Sequence, residues 1–247
     1  MCLGHDHDQR RAGRPWPLTI GPTGSRRTRA AITPSIPGGV SNSWSYVKSM
    51  AEVANKHPKQ NFAQMDPRPG LQPGDPGHGS VLGLVFNQEQ MSALAGALAA
   101  FVAAQHDAPH VGVVLGRAGA ILHDFEVGYK WGVDWGVKWM QAHHPEVLKG
   151  KKLAATPVPN RVLWTYVGTF GDPAKGKAAA RVQLEQGAAV IYQVAGGTGL
   201  GMLGAVEEYH KERGGDATRP PYAIGVDADQ DWINPGVHGE TPRHPRL

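Results

Sequence analysis

The stretch from residue 166 to residue 231 constrains the fold most strongly, because short apolar segments alternate with helical ones along it. Residues 188–195 (AAVIYQVA) form an apolar run typical of a strand that is buried on both faces. A glycine-rich turn at 196–199 follows directly, then a helix-like segment at 200–213 and a second short strand at 221–227. Strands that alternate with helices indicate parallel pairing through βαβ crossovers. We therefore predict an α/β fold with a parallel sheet flanked by helices.

The part of the chain before residue 166 continues the same alternation. We predict strands at 61–65, 80–86, 110–116 and 162–168, and helices at 44–57, 88–105 and 124–143. In the last helix Trp131, Trp135 and Trp139 recur every fourth residue, and we interpret them as covering the sheet, with stacking on a ligand as the alternative. Three glycines recur on the adjacent face and are expected to let a neighbouring backbone come close.

The two ends of the chain differ from its middle. The formal net charge is +4 over 247 residues, but residues 10–29 carry six arginines and no acid. Residues 1–37 show no apolar period, so we predict a disordered basic tail there. Contact with nucleic acid is the alternative, and it is disfavoured because no aromatic platform or recognition motif accompanies the arginines. Residues 233–247 are polar and unpatterned, and we predict an unstructured tail.

Targeting and metal signals are weak. The chain has one cysteine, Cys2, so it cannot form an internal disulfide. Residues 1–37 contain no apolar signal-peptide core, and no lipobox precedes Cys2. The most apolar run, 91–104, is shorter than the roughly 20 residues that a membrane span needs. The short His–Asp run at 5–8 could hold a metal only if a fold oriented its side chains, so we predict no metal site.

Three candidate binding residues follow predicted strands. Phe170, Gly197 and Asp227 all fall where a strand ends, and ligands of open parallel sheets bind beyond those carboxyl ends. Phe170 could offer a stacking face, with a place in the core as the alternative. Gly197 could let backbone approach a sugar, bind a phosphate at a helix start, or only close a tight turn. Asp227 could accept hydrogen bonds from a ribose diol or cap a loop.

Catalytic patterns do not occur in the sequence. It contains no G-x-S-x-G, H-E-x-x-H or C-x-x-C motif, and its histidines are scattered. The glycines at 197–201 also miss the dinucleotide fingerprint, because the third glycine comes one residue early. We therefore predict binding without catalysis, no catalytic residues and no cofactor. A soluble enzyme with a Rossmann-like lobe remains the alternative.

Four segments together resemble one family: DFEVGYKWGV (124–133), YVGTFGDPAKGKAAA (166–180), GAAVIYQVAGGTGLG (187–201) and YAIGVDADQD (222–231). They are similar to the basic membrane protein family, the purine-nucleoside-receptor type of substrate-binding lipoprotein of ABC transporters. The resemblance extends over residues 42–236. It implies a type I periplasmic-binding-protein-like fold, with two lobes of parallel sheets flanked by helices and the ligand between the lobes.

The resemblance also implies roles for individual residues. By analogy Phe170 stacks on the base and Asp227 contacts the ribose, while Glu89 or Gln90 corresponds to an acidic residue that pairs with the base. The implied partners are a purine nucleoside or similar small ligand and the permease and ATPase subunits of an importer, with no nucleic acid. The implied location is outside the cytoplasm, anchored to the cell membrane as a lipoprotein.

Both ends of the chain depart from the family pattern. We therefore expect a chain truncated or frameshifted at both ends, with a remnant of the first lobe at 38–82 and a second α/β lobe at 83–232. The first lobe is then incomplete. A ligand-responsive regulator on the same fold and a non-functional fragment are the alternatives that this departure leaves open.

Overall fold

The protein is described here by a computed structural model that covers residues 55–57, 62–65, 81–84, 86–216, 218–227 and 230. The tails predicted at 1–37 and 233–247 lie outside these residues, as does most of the helix predicted at 44–57. The first-lobe remnant predicted at 38–82 is covered only in part. The structure therefore bears mainly on the lobe predicted at 83–232.

The described elements follow the predicted alternation of strands and helices. They are β1 (Phe62–Met65), β2 (Val81–Leu84), α1 (Gln88–Gln105), β3 (His110–Leu115), α2 (Ala120–His143), α3 (Pro145–Leu148), α4 (Lys152–Ala155), a 3₁₀ turn (Val158–Asn160), β4 (Val162–Tyr166), α5 (Pro173–Glu185), β5 (Ala188–Val194), α6 (Gly197–Glu212) and β6 (Tyr222–Ile224). Helix α1 has the predicted bounds, whereas α6 begins three residues before the predicted start at 200. Among the described residues no helix is both long and apolar enough to cross a membrane.

All the described strands pair in parallel. Strands β1 and β2 form a two-stranded sheet, and the other four form a sheet in the order β4-β3-β5-β6. Leu115 at the end of β3 lies between Tyr166 of β4 and Val194 of β5. Strand β6 pairs with β5 through Tyr192 and Ile224. This confirms the predicted α/β architecture and the predicted parallel pairing of segment 188–195 with segment 221–227.

Helices cover both faces of the four-stranded sheet. Helices α1 and α2 pack together over one face, and α5 and α6 pack together over the other. Alternate residues of β5 enter the two cores: Tyr192 and Val194 belong to the α1–α2 side, and Ile191 belongs to the α5–α6 side. All seven residues of β5 are buried. Its continuous apolar run thus reflects a strand covered on both faces.

Helices α1 and α2 pack at close range because glycines line their contact. A Cβ on Gly132 would lie 2.8 Å from the Cα of Ala93, and one on Gly128 would lie 2.7 Å from the Cα of Glu89. From the α1 side, a Cβ on Gly96 would lie 3.0 Å from the backbone nitrogen of Val133. These approaches confirm the expected role of the α2 glycines.

Two of the three tryptophans of α2 do not cover the sheet as predicted, whereas Trp139 is partly buried and packs against the core. Trp131 is 60% exposed and Trp135 is 42% exposed. The residues of α2 that face the sheet are Tyr129, Val133 and Val137, which are buried. The prediction was wrong because the fourfold spacing defines a stripe but does not say which of two stripes faces the core. Tyr129 and the aliphatic residues supply a second stripe, and that one is buried.

The close α1–α2 packing predicts opposite effects for two glycine substitutions. Gly132→Ala should lower the free energy of unfolding by about 1–3 kcal/mol, because the added methyl overlaps the Ala93 backbone. Gly204→Ala in α6 is the matched control, since nothing lies within 4 Å of a Cβ there. That change should raise the stability by about 0.5–1 kcal/mol, because alanine favours helix over glycine. Urea unfolding of both variants measures this, and an unchanged or raised stability for Gly132→Ala would contradict the packing.

Candidate functional site

The strand order places a crevice between β3 and β5. The chain leaves β3 through α2 and returns at β4 on one side, and it leaves β5 through α6 and returns at β6 on the other. The connections from β3 and from β5 therefore lead to opposite sides of the sheet. Such a switch in strand order opens a crevice at the carboxyl ends of the two strands, where ligands of doubly wound sheets bind. Gly116, directly after β3, and Gly196, two residues after the end of β5, lie at this point.

Phe170 lies over this crevice. A Cβ on Gly116 would overlap its ring, with the ring's Cζ 2.9 Å away. The Thr198 amide donates a hydrogen bond to the Phe170 carbonyl oxygen at 3.0 Å. The ring is partly buried and packs against the core on the α1–α2 side. Phe170 therefore belongs in part to the core, and its role as a stacking face remains a prediction.

The glycine-rich segment serves two purposes. Gly196 has φ +53°, in the left-handed region that favours glycine. A Cβ on Gly197 would lie 3.1 Å from the Phe170 carbonyl oxygen, so the structure brings these two predicted residues together. Gly199 instead makes room for the side chain of Gln193, where a Cβ would overlap it. Only the start of the glycine run therefore faces the crevice.

Two amides in the first turn of α6 are already engaged by protein carbonyls and are not available to a phosphate. The Thr198 amide already donates to the Phe170 and Ala195 carbonyl oxygens, and the Gly199 amide donates to the Gly196 carbonyl oxygen at 2.9 Å. Anion binding at a helix start requires amides that point at the ligand. Engagement of these donors by protein carbonyls favours an uncharged ligand group beside Gly197.

Asp227 lies beyond β6, on the far side of β5 from β3. Its carboxylate is exposed, and its backbone has φ +67°. Burial, followed by the negative charge of Asp227, raises the pKa of Tyr192, which lies on the α1–α2 face of β5. The ends of β5 and β6 are neighbours, and adjacent strands lie about 4.8 Å apart. Asp227 and Phe170 therefore lie at the same edge of the sheet.

Two glutamines that the sequence analysis missed hold the Asp227 segment. The buried Gln193 donates a hydrogen bond through Nε2 to Gln230 Oε1 at 2.7 Å. Gln230 Oε1 also accepts from the Val226 amide at 3.1 Å. Gln193 Oε1 in turn accepts from the Ala195 amide at 3.1 Å. This relay connects the turn after β5 to the segment after β6, and its sequence signal is a glutamine inside an apolar strand.

Glu89 and Gln90 begin α1 and are exposed. Helix α1 runs opposite to β3, to which it leads, so its first turn lies at the carboxyl edge of the sheet together with the crevice. The backbone of Glu89 packs against Gly128 of α2. The structure thus places Glu89 and Gln90 at the same edge as Phe170 but shows no contact between them among the described residues.

A second polar cluster that the sequence did not indicate lies at this edge. Tyr166 ends β4 and donates a hydrogen bond to Glu126 Oε2 at 2.7 Å, and Lys130 donates to Glu126 Oε1. Lys130 also lies 4.3 Å from the centroid of the Trp164 ring. Burial opposes the charge of Glu126, but the hydrogen bonds from Lys130 and Tyr166 outweigh it and lower the carboxyl pKa. Glu126 is therefore held as a carboxylate.

Comparison with known proteins agrees with this geometry. Residues 40–135 and 159–239 match the model of a family described as ABC transporter substrate-binding protein PnrA-like. The chain belongs to this family. An uncharacterized lipoprotein of Pyrococcus horikoshii is 33% identical over 185 residues, which cover 74% of the chain and 39% of that protein. The chain thus spans well under two thirds of the length of such relatives.

Two further comparisons concern a named binding protein and a solved structure. The ABC transporter nucleoside-binding protein BmpA of Lactococcus lactis is 26% identical over 73% of the chain and 43% of its own length. The crystal structure of an ABC transporter solute-binding protein from Aeropyrum pernix superposes with a TM-score of 0.61 at 28% identity. It covers 79% of the chain and 47% of the solved one. The predicted periplasmic-binding-protein-like fold is confirmed, and the partial coverage agrees with an incomplete pair of lobes.

Replacing Gln193 should loosen the segment that carries Asp227. Gln193→Leu leaves the Ala195 amide without its acceptor and removes the donor to Gln230. An unpaired buried polar group costs about 1–3 kcal/mol, so the free energy of unfolding should fall by that amount. Hydrogen exchange should rise at the amide of Val226. Faster exchange spread evenly over the whole chain, with none concentrated after β6, would contradict the relay.

Glu126 should make folding stability depend on pH. Its pKa in the folded protein lies below the ordinary value of 4.5. Its stabilising contribution is therefore complete above that pH and is lost as the pH falls through the folded-state pKa. Glu126→Gln should remove this part of the acid dependence, whereas Glu185→Gln, an exposed glutamate on α5, should not. Urea midpoints measured from neutral to acidic pH test this, and identical acid slopes for Glu126→Gln and the unmodified protein would contradict it.

Proposed function

We propose that this chain supplies one lobe of a substrate-binding component of an ABC importer, and that it binds a purine nucleoside or a similar small ligand. The observation that carries the proposal is the position of Phe170 on Gly116 at the crevice between β3 and β5. An aromatic face at this place suits a planar base, and base–aromatic stacking is worth about 1–3 kcal/mol.

The arrangement around Phe170 supports a nucleoside rather than a nucleotide. Gly197 brings backbone close to the crevice, and the Thr198 and Gly199 amides are engaged by protein carbonyls. A sugar without phosphate needs close backbone approach and a hydrogen-bond acceptor but no set of free amides. Asp227 would be that acceptor for a ribose diol, at about 1.5–3 kcal/mol for a charge-assisted hydrogen bond. Glu89 or Gln90 would approach the base from the start of α1.

The remaining features of the proposal come from family membership. We propose that the ligand is bound and released without catalysis, and that permease and ATPase subunits are the partners. We also propose a site of action outside the cytoplasm, on a protein anchored to the membrane as a lipoprotein. One relative is named a lipoprotein and another an ABC transporter nucleoside-binding protein, and these names support the proposed location and role.

Titration calorimetry with inosine, guanosine and adenosine tests the proposal. The contacts proposed for Phe170, Gly197 and Asp227 all come from the lobe predicted at 83–232, so we expect affinity on the order of millimolar rather than submicromolar. Phe170→Ala should weaken binding by roughly tenfold or more through the loss of stacking. Asp227→Asn should weaken it by a similar factor, because a neutral amide is a poorer acceptor for the diol.

Two controls make this experiment decisive. Phe170→Tyr keeps an aromatic face and should keep most of the affinity. Asp216→Asn changes an exposed acid between α6 and β6, at the opposite edge of the sheet, and should leave affinity unchanged. A folded chain that binds none of the three nucleosides at millimolar concentration would refute the ligand assignment. So would binding that is equal in the Phe170→Ala and Asp227→Asn variants and the unmodified protein.

A further inference from the structure

The outer face of α1 and α2 carries an apolar surface that the proposed ligand site does not use. Trp131 and Trp135 stack on each other with ring centroids 6.4 Å apart, and Trp135 stacks in the same way on Trp139. Trp139 contacts Phe101 of α1 at 5.7 Å between centroids. On α1, Leu94 is 75% exposed and Leu98 is 55% exposed. Apolar side chains so exposed and so close together mark an interaction surface.

These side chains form one continuous strip. Helices α1 and α2 run in the same direction in close contact, since Gly128 meets Glu89 and Gly132 meets Ala93. Leu94 and Leu98 therefore lie beside Trp131 and Trp135 along the outer groove between the two helices. The strip faces away from the sheet, because the buried stripe of α2 runs through Tyr129 and Val133.

The exposed seam of α2 is symmetric about its central tryptophan. Asp124 and Lys138 each lie seven residues from Trp131, and Val127 and Trp135 each lie four residues from it. All five positions are exposed. The resulting spacing of three, four, four and three residues keeps them on one side of a helix. We name this set of residues, Asp124, Val127, Trp131, Trp135 and Lys138, the α2 seam.

We propose that the α2 seam binds a second copy of this chain, with the two α2 helices antiparallel across a twofold axis at Trp131. In that arrangement Asp124 of one protomer lies opposite the partner's Lys138, and Val127 lies opposite the partner's Trp135. The seam is thus complementary to itself in charge and in apolar character, as an isologous interface requires. The proposal goes beyond ligand binding and does not depend on the identity of the ligand.

The composition of the surface agrees with a dimer interface. The α2 seam is flanked by Leu94 and Leu98 and by the exposed Met91, so α1 adds apolar area beside it. Tryptophan is enriched at the energetic centres of such interfaces. The charges at the ends of the seam fix the register, because a parallel arrangement would place Asp124 against Asp124 and Lys138 against Lys138.

Charge exchange tests the antiparallel register directly. Within one chain, Asp124 and Lys138 lie about 21 Å apart along α2, at 1.5 Å per residue, so they have no direct contact. Asp124→Lys alone should weaken the dimer about tenfold, because it places lysine against the partner's Lys138. Lys138→Glu alone should weaken it similarly. Lys138 also pairs with Asp134 of its own helix at 2.7 Å, so the single variants are compared with the double variant in the same assay. The double variant should regain the affinity of the unmodified chain, because the exchanged charges again face each other across the interface.

Sedimentation velocity of the full chain across the micromolar range gives the dissociation constants. Trp131→Glu should give a monomer at every concentration. Trp164→Glu is the matched control, since Trp164 is 50% exposed but lies on β4, outside the seam. That variant should dimerise like the unmodified protein, and circular dichroism should show every variant folded.

Cross-linking provides an independent readout of register. In a Cys2→Ser background, a mixture of Asp124→Cys and Lys138→Cys chains should form mixed disulfide dimers. Either variant alone should form few, because like positions lie far apart in the antiparallel pair. Several results would overturn the proposal. The unmodified chain could be monomeric at all concentrations. The double charge-exchange variant could dimerise as weakly as the single variants. Each cysteine variant alone could form disulfide dimers with itself.

Discussion

The pairing of β5 with both of its neighbours is the interaction on which the rest of the described structure depends. Strand β5 is bonded to β3 on one side and to β6 on the other, and its alternate residues enter both cores. The ladder continues past the strand ends: the Gly116 amide donates to the Val194 carbonyl oxygen, and the Gly168 amide donates to the Gly116 carbonyl oxygen, both at 2.9 Å. These bonds position the loop that carries Phe170, so the crevice is an extension of the sheet.

The close contact of α1 with α2 has a second consequence. Glycines occupy the side of α2 that faces α1, and Tyr129, Val133 and Val137 occupy the side that faces the sheet. At about 100° per residue, the tryptophan stripe is left on the outer surface. The same helix thus packs through its smallest residues and exposes its largest, which is the reverse of ordinary core packing. The exposed surface is a direct result of the glycine contact.

The candidate site could be predicted in part. Phe170 and Gly197 share a crevice because both follow parallel strands, and that rule can be applied to a sequence. The roles of Gln193 and Glu126 could not be predicted, because their partners Gln230 and Tyr166 are 37 and 40 residues away in the chain. Gly199 could not be distinguished from Gly197 either. One opens space for a buried glutamine and the other lies against Phe170, a difference that depends only on what surrounds each residue.

The sequence by itself determined the alternation of the strands with the longer helices, the bounds of α1 and the family, because hydrophobic period and long collinear motifs are local properties of the chain. It did not predict the short helices α3 and α4. Tertiary structure alone decided which stripe of α2 is buried, where α6 begins and how the Asp227 segment is held. The physical reason is that a periodic pattern defines a face but not what covers it. Trp131 and Tyr129 lie two positions apart in similar sequence surroundings, and only the position of the sheet and of α1 makes one exposed and the other buried.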